Sequence, residues 1–221
     1  MTRGAVRGAH PPHSMDLRLS APAAQRNRQP ILEVLRRVLP EQARVLEIAS
    51  GTGEHAIWLA EHLPIAMLQP SDPDPVHRDS IDAWRQHTEC KRVMPALDLD
   101  VRVRSWHERT DILRPLDALL CINMIHIAPW EAALGLLGGC GRLLSAAGLL
   151  FLYGPYRRHG EHTAASNAQF DAQLRRRDPA WAVRDLETVI EAAGTEGLAL
   201  AEVIEMPANN LSVVFRRLLD R

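Results

Sequence analysis

The sequence predicts an α/β fold built on a Rossmann-like, doubly wound sheet, and three features carry that prediction. Apolar strand-like runs alternate with amphipathic helical segments along most of the chain. A glycine-rich turn, Gly51-Thr52-Gly53, lies between the first such strand and the next helix. Two strand-like runs, residues 198–206 and 211–217, close the sequence across the turn Pro207-Ala208-Asn209-Asn210. The expected architecture is a mostly parallel sheet of seven strands with an antiparallel C-terminal hairpin.

Each element has a local reason. Ile31, Leu32, Leu35, Val38 and Leu39 recur at helical spacing, which predicts a helix over residues 30–39. Pro30 suits its first turn and Pro40 stops it. Residues 44–48 form a short apolar strand. A helix follows over 54–63, with Ile57, Ala60 and Leu63 on one face, then a second strand over 65–69. A polar turn leads to a helix over 76–87, with Asp74 as N-cap and Pro75 behind it. Residues 93–97 make a third strand, weakened by Pro95. The near-continuous apolar run 116–122 suits a central parallel strand buried on both faces. A helix over 130–144 and a fifth strand over 148–153 come next. Residues 156–178 are polar and rich in Arg and His, a partly helical excursion anchored by Phe170 and Leu174. A helix over 183–193 is ended by Gly194.

Composition narrows the class. The chain has 221 residues, 46% apolar and 24% charged, with a net charge of -1. That length suits one domain over residues 21–221, preceded by a disordered extension over 1–20, with Met1 or Met15 as start. The balanced charge supplies no field for nucleic acid, and no apolar run is long enough to span a bilayer. Cys90, Cys121 and Cys140 form no C-x-x-C pair, so neither a disulfide framework nor a zinc ribbon is expected. No metal site is expected either, since His55 and His62 have no third ligand nearby. A reducing, cytoplasmic location is the expectation.

The glycine turn opens a helix whose free N–H groups suit an anionic or nucleotide ligand. Its spacing alone also fits a dinucleotide. Glu47, at the end of the first strand, distinguishes the two. A carboxylate there repels a pyrophosphate but tolerates the cationic methionine end of S-adenosylmethionine. The cofactor loop is then Ala49, Ser50, Gly51 and Gly53, with His55 beside it. Asp72 follows roughly 20 residues on, where a carboxylate accepts ribose hydroxyl protons. Its bland reading is a helix cap. Asp98 and Leu99, after the third strand, face the adenine, and Asn123 follows the fourth strand.

At these residues the chain resembles a known group. Val45-Leu46-Glu47-Ile48-Ala49-Ser50-Gly51-Thr52-Gly53-Glu54-His55 looks like the first motif of class I S-adenosylmethionine-dependent methyltransferases. Three further stretches resemble the methyltransferase-like 26 family, domain of unknown function 938. They are Ala24-Gln25-Arg26-Asn27-Arg28-Gln29-Pro30-Ile31-Leu32, Gln69-Pro70-Ser71-Asp72, and Asn167-Ala168-Gln169-Phe170-Asp171 with Arg177-Asp178-Pro179-Ala180-Trp181. The resemblance implies the class I fold and S-adenosylmethionine as cofactor, and leaves the acceptor open. In that reading Arg26 and Asn27 fold over the cofactor mouth, with Arg26 facing the cofactor carboxylate or an acidic acceptor. Ala49 stands where many such motifs carry Gly, so its φ is expected to stay negative.

A small-molecule acceptor is expected outside the carboxyl ends of the strands. The turn Asn123-Met124-Ile125-His126 lacks the Asn or Asp-Pro-Pro-aromatic motif of methyltransferases that act on planar amino groups. His126 is a candidate general base, or a structural histidine bonded to a neighbouring loop. Tyr153 is a second candidate catalytic residue. Arg175, Arg176 and Arg177 read as a solvated helix face, or as a contact to an anionic acceptor. A non-catalytic cofactor-binding protein and a nicotinamide-dependent oxidoreductase are the rival readings.

Overall fold

The structure is a computed structural model that describes residues 16–218. The start residue and the first fifteen positions of the expected extension lie outside the described residues. Residues 16–20, also assigned to that extension, pack on the body of the protein. The Leu19 N–H donates to Ser80 Oγ at 2.8 Å, and Trp84 Nε1–H donates to the Leu19 oxygen at 2.8 Å.

The first helix, α1, spans Pro22–Val38 and not 30–39. Pro22 takes the tolerated first-turn position, and Pro30 sits inside the helix. Ile31, Leu32, Val34 and Leu35 are buried against the sheet. The first turns carry few apolar residues, so periodicity gives no sign of them. The strands β1 (Arg44–Ile48), β2 (Met67–Ser71), β3 (Leu116–Ile122) and β4 (Leu144–Gly154) are all parallel. The intervening helices are α2 (Glu54–His62), α3 (Pro75–Thr88) and α4 (Trp130–Leu143). Asp74 caps α3 as expected, its Oδ1 accepting the Val76 N–H at 2.9 Å.

The excursion after β4 holds two short strands, β5 (Tyr156–Arg158) and β6 (Glu161–His162), then helix α5 (Ala165–Arg177). A third, β7 (Arg184–Asp185), completes a small sheet of order β6-β5-β7. That pairing delays the next helix, α6, to Leu186–Thr195. Gly194 lies within α6, and Gly197, at φ +76°, makes the left-handed turn behind it. The hairpin β8 (Leu198–Met206) and β9 (Asn210–Arg217) is antiparallel, and β9 also pairs antiparallel with β4.

The main sheet has the order β2-β1-β3-β4-β9-β8. The seventh strand, expected over 93–97, is reduced to two isolated parallel bridges along β2, Leu68 to Val93 and Ser71 to Leu97. The cause is chemical: Pro70 on one side and Pro95 on the other have no N–H to donate. Two apolar clusters cover the faces. One holds α1 and α2, the other α4 and α6. On the latter side the Trp106 ring packs against Gly139 of α4, its Nε1–H donating to the Gly135 oxygen at 2.9 Å. All three cysteines are free. Among the described residues no helix is long and apolar enough to cross a membrane.

Candidate functional site

A cavity of about 780 Å³ opens at the carboxyl ends of β1, β2 and β3. Its floor is the loop after β1, which the sequence shapes with three left-handed residues. Gly51 and Gly53 have φ of +56° and +89°. At Gly53 a Cβ would lie 2.9 Å from Ile81 Cα, so only glycine lets α2 start this close to α3. Ala49 is the third, at φ +54°, which reverses the expectation that it stays negative. Asn123, after β3, is also left-handed at φ +61°, a conformation asparagine tolerates. A left-handed alanine costs roughly 1–2 kcal/mol, partly offset in glycine by unfolded-state entropy. Ala49→Gly is therefore expected to raise stability in urea unfolding by about 0.5–1 kcal/mol. A loss of stability would show that the turn carries no strain.

Glu47 is the decisive side chain. It is 1% exposed, lines the cavity, and has no hydrogen-bond donor on either carboxylate oxygen. Burial raises its pKa to about 7; Ser50 opposes that rise, and the nearby charge of Asp72 adds a smaller increase. A buried carboxylate without a donor is costly unless a cation meets it. Ser50 lines the same floor, and its N–H donates to the Ser71 oxygen at 2.8 Å.

Asp72 is buried in the wall of the cavity. Its Oδ2 accepts the Gly51 N–H at 2.9 Å, and its Oδ1 accepts the Asp74 N–H at 3.0 Å and lies 3.2 Å from His77 Nδ1. It ties the glycine loop to the start of α3, and Asp74 does the capping. Leu99 lines the cavity as expected, but Asp98 does not. Its side chain is 69% exposed and pairs with Arg78 at 3.2 Å. The lining here runs over residues 99–102, so it begins one residue after Asp98 and includes Asp100 instead.

The N-terminal pair divides. Asn27 Oδ1 lies 2.7 Å from His55 Nε2, and Asn27 also hydrogen-bonds the Tyr153 hydroxyl. Arg26 is exposed on the outer face of α1 and meets no partner among the described residues. It is not among the residues that line the cavity. His55 lines the cavity, and burial, with the charge of Arg28, lowers its pKa to about 4, so it is neutral.

Neither candidate catalyst reaches the cavity wall. His126 is 3% exposed and lies edge-on to Phe170, with ring centroids 5.6 Å apart. Its Nδ1 is buried without a partner. Burial, then the charge of Arg184, lowers its pKa to about 4. Tyr153 is buried beside Asn27, and burial raises its pKa. Asn123 does line the cavity, as do Asp178 and Trp181 from the loop after α5. Those last two belong to a stretch that the family resemblance marked but gave no role. Among the described residues no cluster of three metal-ligating side chains occurs.

Solved structures share this fold. An O-methyltransferase family protein from Burkholderia thailandensis superposes with a TM-score of 0.74 at 17% identity, over 90% of this chain and 58% of that one. Human N-acetylserotonin methyltransferase, solved in complex with SAM, gives 0.70 at 12% identity over 89% and 53%. This chain thus spans little more than half of their length. A candidate sarcosine dimethylglycine methyltransferase from Galdieria sulphuraria matches along nearly all of both chains, 93% and 94%, with a TM-score of 0.67 at 13% identity. Residues 18–217 match the family described as Protein of unknown function (DUF938), and the chain belongs to that family.

Proposed function

We infer that the chain is an S-adenosylmethionine-dependent methyltransferase acting on a small molecule. The observation that carries this reading is Glu47, a buried carboxylate with both oxygens free, set in the floor of a cavity behind a glycine turn. The cationic methionine end of the cofactor fits that position, and a pyrophosphate does not. Ser50 and Gly51 would hold the same end. Asp72 would meet the ribose, and Leu99 with Met124 and Ile127 would give the adenine an apolar slot.

When bound, the cofactor would supply a methyl carbon made electrophilic by positive sulfur, open to an acceptor lone pair with sulfur as the leaving group. The protein's part is position and exclusion of water. Neutral His55 faces the cavity and is fixed by Asn27. His126 and Tyr153 act from behind the wall, as supports.

Calorimetric titration is expected to show S-adenosylmethionine binding and no NAD binding. The reverse result would overturn the reading. The absence of His126 and Tyr153 from the cavity wall favours one rival, a protein that binds the cofactor without turnover. Labelled-methyl transfer to an extract of small metabolites separates the two: a labelled product identifies the enzyme.

A further inference from the structure

We propose that Asp178 and Trp181 form the acceptor wall of this cavity, and that the wall takes a flat acceptor without anionic groups, preferring one that carries positive charge. The proposal rests on the methyltransferase reading above and gives the acceptor a chemical class.

Charge is the first argument. Five carboxylates line the cavity, Glu47, Asp72, Asp74, Asp100 and Asp178, against one arginine, Arg102. That arginine is spent: its Nη2 lies 2.6 Å from Asp100 Oδ2 and its Nε 3.0 Å from both Asp100 oxygens. His55 is held neutral by burial. The other imidazole of the lining, His77, lies 3.2 Å from Asp72 Oδ1, so a carboxylate or phosphate on the acceptor would meet like charges with no unpaired cation among the described lining residues. The arginine run Arg175–Arg177, read from sequence as one contact for an anionic acceptor, contributes no residue to the lining.

Shape is the second argument. Trp181 is the cavity's one Phe, Tyr or Trp side chain. It is half-buried, and its indole N–H has no partner among the described residues. An indole face beside a carboxylate attracts flat rings, and attracts cations more strongly.

The third argument is that the wall is built to stay in place. Asp178 Oδ1 accepts the Ala180 N–H at 2.9 Å, and the Asp178 oxygen accepts the Trp181 N–H at 3.0 Å. The Ala182 N–H donates to the His126 oxygen at 3.1 Å, and buried Asp171 accepts the Val183 N–H at 2.7 Å. Arg184 then donates to the oxygens of Ile125 and Ala128 at 2.9 and 2.6 Å. Those bonds lock the loop after α5 to the loop after β3, although the two are far apart in sequence. A solvated surface loop has no use for such anchorage.

The test uses the full chain with saturating S-adenosylhomocysteine, so that no turnover occurs. Three flat probes of matched size are titrated by saturation-transfer NMR: quinoline, N-methylquinolinium and quinoline-4-carboxylate. The cation is expected to bind about tenfold tighter than the neutral ring, and the anion at least about tenfold weaker. Trp181→Ala should weaken the cation and the neutral ring by about tenfold, Trp181→Phe should restore part of this, and Asp178→Asn should erase the preference for the cation. S-adenosylhomocysteine affinity in each variant reports that the fold and the cofactor end are intact. Equal or tighter binding of the anion overturns the proposal, as does indifference to Trp181→Ala, or no probe binding while S-adenosylhomocysteine binds. If wild-type protein fails to bind S-adenosylhomocysteine, the methyltransferase reading itself has failed, and the proposal with it.

Discussion

Glu47→Gln is expected to stabilise the ligand-free protein by about 3 kcal/mol at pH 8, and to remove the pH dependence of S-adenosylmethionine binding. The folded protein holds this carboxyl near pKa 7, against 4.5 for an ordinary glutamate. Between those values the native state binds the proton more tightly than the unfolded chain does. Its stabilising contribution is complete below pH 4.5 and is lost as pH rises through about 7. Glutamine keeps the shape and cannot ionise, so its stability should not fall across that window. Chemical unfolding of both proteins at several pH values measures the difference, and parallel curves would remove Glu47 as their cause. Binding runs the other way. A cationic ligand favours the ionised carboxylate, so wild-type affinity should rise with pH towards 7, with proton release on binding. Calorimetry in two buffers of different ionisation enthalpy reads that proton directly. In the glutamine variant the release should vanish, and affinity at neutral pH should fall by at least about tenfold.

Gly135→Ala is expected to destabilise the fold by about 2–3 kcal/mol, whereas Gly138→Ala, one turn along the same helix, should stabilise it by up to about 1 kcal/mol. Alanine's helix propensity favours both changes by about 1 kcal/mol. The surroundings decide the sign. A Cβ at Gly135 would lie 2.1 Å from the Val101 main-chain oxygen, which cannot give way without moving the backbone. A Cβ at Gly138 would meet the tips of Arg142 and Glu196 at 3.3 and 3.6 Å, and both side chains can turn aside. Val101 also lines the cavity, so Gly135→Ala should lower cofactor affinity as well. Thermal unfolding of the pair checks the contrast, and effects of equal sign would contradict it.

The alternation of strand and helix was legible because Leu116–Ile122 and Arg44–Ile48 carry nearly unbroken apolar runs, and because Asp74-Pro75 is a strong start signal. The early start of α1 was hidden because residues 22–29 bury only Ala24, so no period shows. Glu47 and Asp72 were readable from their distance to the glycine turn, and Leu99 from its place after the expected third strand. Asp98 was misplaced because one residue of register decides which neighbour faces inward. His126 lies in the loop after β3 and Tyr153 near the end of β4, but local sequence does not tell whether a side chain points into a cavity or behind it. Asp178 and Trp181 reach the site through Arg184 and Asp171, partners set by the fold and not by spacing.

Glu54 has a consequence for how the cavity empties. Its carboxylate, buried at the start of α2, accepts the Ala21 N–H and the hydroxyls of Ser20 and Thr52. Together with Ser80 and Trp84, which hold Leu19, that group fastens the strap of residues 16–24, three of which, Ala21, Ala23 and Ala24, line the cavity. The opposite wall is locked by Arg184. If the cavity holds the cofactor as proposed, undocking of this strap is the route by which the demethylated cofactor would leave. Turnover would then be limited by a strap held through Glu54, Ser80 and Trp84, with chemistry the faster step.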